Sequence, residues 1–263
     1  MMVIFNDVKN KKEVIDKLIN DDNSQNNIKH KWAKIIAFFS IVAIAFGGLN
    51  DTIDAVDKIY NITLSQFTDI PSHNKLSKIY VRAPEELLDD TFGAPSYIKK
   101  TTSGDFIKYY KDKRFILSSV TRDGAIVAFL VFPKNNFIPN TSEHAGGDNL
   151  LFTPFSSKES VTDIRVNASR SVSYYIEENP VGEFSNLYSS IAGYSEFLMP
   201  LDQEKQKLFY RLSEALVIGD NVSELVVNLR NKVIPNFYGY SIERLNDLES
   251  AILTLTEYRL MMK

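Results

Sequence analysis

Phe115-Ile116-Leu117-Ser118-Ser119-Val120-Thr121-Arg122-Asp123-Gly124-Ala125-Ile126-Val127-Ala128-Phe129-Leu130-Val131-Phe132 sets an Asp-Gly pair between two runs of β-branched and aromatic residues. Asp-Gly tolerates the two positive-φ positions of a tight hairpin turn, so the stretch predicts two antiparallel strands joined at 123–124. Working outward, Phe106-Ile107-Lys108-Tyr109-Tyr110 and Tyr97-Ile98-Lys99 read as two further strands. Before them, Pro84-Glu85-Glu86-Leu87-Leu88 opens a helix with proline and acids in its first turn, and Gly93 with Pro95 closes it. Residues 76–133 therefore read as a helix followed by an antiparallel meander.

A helix, then Phe92-Gly93-x-Pro95, a strand and an Asp-Gly hairpin resembles the small α/β modules of bacterial outer-membrane-assembly lipoproteins and of secreted β-lactamase inhibitor proteins. The resemblance covers some 55 residues at the level of pattern. It implies binding rather than catalysis.

Beyond the meander, residues 134–160 form a polar, turn-rich connection that could mark a sub-boundary. Strand-like runs resume at 161–166 and 171–176, the second ending in Glu177-Glu178-Asn179-Pro180 as a turn. Residues 187–198 resist assignment. Helices are expected at 204–217, where Leu208, Leu212 and Leu216 share a face, and from 221 to about 233, before Pro235 and Gly239. Pro-Glu-Glu-Leu at 84–87 and Ser-Glu-Leu at 223–225 hint at a repeated module. The tail shows Leu245, Leu248, Ile252 and Leu255 at helical spacing, while 252–259 alternates, which suggests helix then strand.

The N-terminal region reads differently. Ile35 to Leu49 contains no charge and a single Ser, and 32–49 predicts a transmembrane helix when Trp32 and a snorkelling Lys34 are counted. Lys31, Trp32 and Lys34 would sit at the membrane interface, with acids at 51, 54 and 57 beyond the span. By the positive-inside rule the tail is cytoplasmic and the remainder periplasmic or extracellular. A buried core helix competes but would show a polar face, and a cleaved signal peptide competes but would begin with a short basic stretch. The expected organisation is a tail over 1–31, the span over 32–49, a helical stalk over 50–71 and an extracytoplasmic domain over 72–263. The apolar stripe of residues 49–67 offers self-association or packing on the chain's own domain. Overall, a basic tail, one span and an α/β domain resemble uncharacterised single-pass membrane proteins of Gram-negative bacteria.

Composition narrows the function classes. The 263 residues are 44% hydrophobic and 24% charged, which suits a folded globular chain. Residues 1–34 hold seven Lys and Arg against five Asp and Glu, leaving 23 against 28 beyond them. A domain of that balance does not attract nucleic acid. With no Cys, thiolate metal sites, disulfides and a Cys nucleophile are excluded. The three His lie far apart and lack metal-site spacing, and no nucleophile elbow, P-loop or dinucleotide fingerprint occurs. No cofactor, metal or catalytic residue is expected.

Candidate binding residues remain. His144 and Asp148 flank two glycines in a loop, where a base or an anion cradle could form. Arg165 and Arg170 could hold a carboxylate. Tyr174, Tyr194 and Tyr238 belong to an aromatic-rich C-terminal half suited to recognition or to core packing.

The fold class expected is α+β: an N-terminal transmembrane helix, then helices packed on antiparallel β-sheet, as one module or as two related α/β modules. The function expected is a membrane-anchored binding or sensing module of the bacterial inner membrane, recognising a protein or envelope ligand. The alternative is an oligomerising membrane effector or stress or defence protein acting through its span. An envelope hydrolase stands third, and the missing enzyme signatures lean away from it.

Overall fold

The computed structural model describes residues 68–262, apart from 102–103, 135, 143–148, 159–160 and 181–186. Two compact units divide the chain, Met1–Gln66 and Phe67–Lys263, and every described residue belongs to the second. The elements named below are those of the described residues.

The Asp-Gly hairpin is present. Asp123 (φ 51°) and Gly124 (φ 74°) join β3 (Phe115–Arg122) to β4 (Ala125–Pro133). β1 (Tyr97–Lys100) and β2 (Phe106–Lys111) precede them as an antiparallel meander. Two short helices come first, α1 (Ile70–Leu76) and α2 (Glu86–Phe92). Pro71 lies in the first turn of α1, where its missing N–H costs nothing.

A second meander follows: β5 (Asp163–Ala168), β6 (Ser173–Pro180) and β7 (Ser189–Ser195). Next come α3 (Gln203–Ile218) and α4 (Ser223–Lys232), then β8 (Phe237–Ser241), and finally α5 (Leu245–Leu248) and α6 (Leu255–Met262). β8 inserts between β4 and β7 and pairs antiparallel with both, giving one eight-stranded sheet in the order β1-β2-β3-β4-β8-β7-β6-β5.

β4 shows why the sequence gives this architecture. Its apolar run has no polar side because helices or loops cover both faces. Ala128, Leu130 and Phe132 pack with Leu245, Leu248, Leu253 and Met261 from the C-terminal segment. Phe129 and Val131 pack with Ile79, Leu88 and Phe137 on the opposite face. Further along, Tyr175, Ala192 and Tyr194 meet Leu208, Phe209 and Leu212 of α3 and Leu229 of α4. The result is a three-layer arrangement with the sheet in the middle. Each fully buried large side chain contributes about 1.5–3 kcal/mol, so the central strands outweigh the weaker edge pairing.

Four expectations are corrected here. Among the described residues no helix is long and apolar enough to cross a membrane. The described domain thus lacks the transmembrane component of the expected fold class, and the single-pass membrane reading is not carried further. The span expected at 32–49, the interface residues Lys31, Trp32 and Lys34 and the stripe at 49–67 lie outside the described residues. Second, two modules are replaced by one sheet, because β8 joins the two meanders edge to edge.

Third, Glu177-Glu178-Asn179-Pro180 is not a turn but the end of β6, paired to residues 189–192 of β7. Glu177 is fully buried. Its Oε1 accepts from the Tyr175 hydroxyl at 2.6 Å and lies 2.9 Å from Arg230 Nε. Among the described residues neither that Nε nor Oε2 has a hydrogen-bond partner, so Arg230 holds Glu177 chiefly as an ion pair. Burial pushes the Glu177 carboxyl up, against the opposing pull of Tyr175, Arg230 and Lys158. Arg230 also donates through Nη2 to the carbonyls of Phe155 (3.0 Å) and Lys158 (2.7 Å), which ties α4 to the connection after the first meander.

Fourth, no strand forms over 252–259; from Leu255 the chain is the helix α6. Thr254 accepts from the Glu257 N–H while Glu257 Oε2 accepts from the Thr254 N–H at 2.8 Å, a reciprocal capping box.

α1 is fastened to the β2–β3 turn by Asp112, whose carboxylate accepts from Ser72 Oγ (2.6 Å), the Arg114 N–H (2.9 Å) and Lys75 Nζ (3.0 Å). Burial alone would raise this carboxyl, but those donors hold it below its ordinary value. A group depressed in the folded state stabilises above its unfolded pKa of about 3.9 and loses that contribution as pH falls through the folded value. Asp112→Ala is thus expected to lose about 1–3 kcal/mol at pH 7 in urea denaturation. The difference from wild type should shrink towards pH 2.

Candidate functional site

The sequence-derived candidates scatter. His144 and Asp148 lie outside the described residues. Arg165, on β5, donates through Nη1 to Asp163 Oδ1 and to the Ile164 carbonyl, both at 2.7 Å, and its Nε is 3.9 Å from Glu249. Those contacts fasten an edge strand to the C-terminal segment. Tyr174, Tyr194 and Tyr238 are buried in the core. Tyr194 donates to the Met199 carbonyl, and burial with Glu196 and Asp202 nearby pushes its hydroxyl up to about 12. Arg170 is exposed, at the tip of the β5–β6 turn.

Around Arg170 the structure assembles a site. Ser169 closes the turn, its N–H and hydroxyl both donating to the Val172 carbonyl (3.0 and 2.9 Å). The Leu255 N–H donates to the Ser171 carbonyl at 2.9 Å, anchoring the turn to the start of α6. Opposite stands α3, started by Asp202, which accepts from the Lys205 N–H, and ended by Gly219 at φ 79°. Because Leu208, Phe209, Leu212 and Ala215 bury one stripe of α3, Lys207, Tyr210 and Arg211 face outward.

Turn and helix enclose an open groove of about 830 Å³ at the end of the sheet, floored by Phe197, Pro200, Leu253 and Leu255. Arg170, Lys207 and Arg211 all line it, and none of the three has an ion-pair partner among the described residues. Among the described lining residues Glu196 is the only carboxylate, and it accepts from Gln206 Nε2 at 2.9 Å. Three cations face one occupied carboxylate over an apolar floor. Ser195, fully buried, also lines the groove, and its hydroxyl has no hydrogen-bond partner among the described residues. Such a lining can hold an anionic group and cover an apolar one.

Lys207, Tyr210 and Arg211 are absent from the sequence-derived candidates. Their signal lies in the outward face next to the Leu208 and Leu212 stripe, but only the fold shows which turn that face meets. No group of three or more His, Cys, Asp or Glu able to hold a metal occurs among the described residues.

No family model matches the chain, and no curated protein matches it. Among solved structures, it is similar to an extracellular protein containing a SCP domain from Bacillus anthracis str. Ames, at 10% identity and a TM-score of 0.33, covering 63% of this chain and 44% of that one. It is also similar to a cysteine-rich secretory protein from Staphylococcus aureus subsp. aureus Mu50, at 12% identity and a TM-score of 0.34, covering 66% and 49%. The chain thus spans about half the length of these structures or less. At such TM-scores the likeness carries no weight for fold or function.

Proposed function

We propose that the described domain is a binding module that takes an anionic ligand with an apolar body into the groove between the β5–β6 turn and α3. The observation that carries this reading is the convergence of Arg170, Lys207 and Arg211, without carboxylate partners among the described residues, above the floor of Phe197, Leu253 and Leu255. Like-signed cations left together in one concavity repel one another, and an anion removes that cost. The bidentate geometry of two guanidinium groups suits a carboxylate or phosphate.

The test uses the full chain and two probes of equal size and opposite charge, 4-phenylbutyrate and 4-phenylbutylamine, by isothermal titration calorimetry. Phenylbutyrate is expected to bind and the amine not to. The double variant Arg170→Glu, Arg211→Glu should weaken phenylbutyrate at least tenfold while leaving thermal unfolding unchanged. Equal binding of both probes, or indifference to the double variant, would refute the reading.

A further inference from the structure

A second groove, of about 910 Å³, opens where β4 ends and β8 begins, and it shares no residue with the first. Its lining is mixed. Phe152, Met199, Ile234 and Met262 leave 41–58% of their surface exposed, a concentration of large apolar side chains in solvent. Phe152 adopts φ 65°, a conformation that an aromatic residue rarely takes.

Lys111, Lys113 and Lys134 also line it. Asp112 is the only carboxylate among the described lining residues, and its oxygens are engaged by Ser72, Lys75 and the Arg114 N–H. Lys134 Nζ donates to the Asp112 carbonyl, and its ammonium is pushed down by burial and then by the neighbouring Lys111 charge, against the opposing pull of Asp112. Three lysines against one carboxylate leave the described lining with an excess of positive charge.

We infer that this groove docks an acidic, amphipathic segment of a protein partner, apolar side chains against Met199, Ile234 and Met262 and carboxylates against Lys111 and Lys134. Charge complementarity selects the sign of the occupant. The shape selects a segment: the apolar side chains line a concavity, which a flat bilayer surface cannot enter. Methionines at two of the contact points suit a surface that adapts to an inserted side chain. The inference is independent of the first groove.

Fluorescence anisotropy with the full chain tests it, using a twelve-residue peptide with Leu or Phe every third or fourth position and Glu between, and a twin with Lys in place of Glu. The acidic peptide is expected to bind at least tenfold tighter than its twin. Met199→Glu with Ile234→Glu should raise its Kd at least tenfold, and Lys111→Glu several-fold, with the thermal midpoint unchanged because these side chains are already exposed. Arg170→Glu, in the first groove, should leave the Kd as it is. Equal affinity of the twins, or no binding of either, would overturn the inference. So would binding of anionic phospholipid vesicles without peptide binding, or self-association of the chain that Ile234→Glu abolishes.

Discussion

Arg230→Ala is expected to cost about 3–5 kcal/mol, the loss typical of breaking a buried ion pair from one side. Glu177 is fully buried and Arg230 is its ion-pair partner, so truncation leaves the carboxylate in the core with only the Tyr175 hydroxyl and the Lys158 charge to offset its burial. The Phe155 and Lys158 carbonyls also lose their donor. The effect should depend on pH in a stated direction. Glu177 is already raised in the folded protein, and removing a neighbouring cation raises it further. A carboxyl raised on folding favours the native state while it is protonated. Its contribution is present below the unfolded pKa, about 4.3, and is lost as pH rises through the folded value. The penalty of Arg230→Ala is thus larger at pH 8 than at pH 5, and Glu177→Gln in the same chain should remove that pH dependence. Urea denaturation at the two pH values measures it. A loss under 1 kcal/mol, or one independent of pH, would show that the pair does not hold α4 to the sheet.

Gly239→Ala is expected to be comparably damaging, for a steric reason. Gly239 lies in mid-β8, opposite Leu130 of β4 and Ile191 of β7. A Cβ at this position would run into the Phe129 carbonyl oxygen and the Leu130 side chain. The carbonyl is backbone in a paired strand, so relief requires β4 and β8 to separate at the seam between the two meanders. Overpacking costs about 1–3 kcal/mol and occasionally more; with backbone as the obstacle, about 3 kcal/mol or above is expected. Gly219→Ala is the control: it has open space and a positive φ, and should cost only about 1–2 kcal/mol for the left-handed backbone. Near-equal thermal midpoints for the two variants would contradict the seam.

These two positions also mark where the sequence was hard to read. β1 to β4 are joined by local turns, so Asp123-Gly124 and the apolar runs beside it suffice to predict them. β8 is five residues long, interrupted by Gly239 and preceded by Pro235, and its partners on β4 lie more than 100 residues earlier. Nothing local marks it as the strand that makes two meanders one sheet. Glu177 and Asn179 resemble turn residues because they are polar and precede Pro180, yet both are buried strand residues, and Arg230 of α4, tied to residues 155 and 158, lies against Glu177. At the C-terminus the decisive signal was present. Thr254-x-x-Glu257 is a capping box, and it outweighs the alternation of 252–259.

The groove divides in the same way. Arg170 stands out in sequence as a cation beside strand-like runs, whereas Lys207 and Arg211 look like ordinary solvent-facing positions of an amphipathic helix. Only the packing of α3 on the second meander brings the three together. Arg165, paired with Arg170 in the sequence reading, faces Asp163 and Glu249 instead and serves the edge of the sheet.

The most direct test of the central claim is to locate a bound anion. In a ¹H–¹⁵N titration of the full chain with 4-phenylbutyrate, the largest shift changes are predicted at the amides of residues 169–172 and 207–211. Changes concentrated at Phe152 and Ile234, or none that saturate, would contradict the assignment of the groove as the binding site.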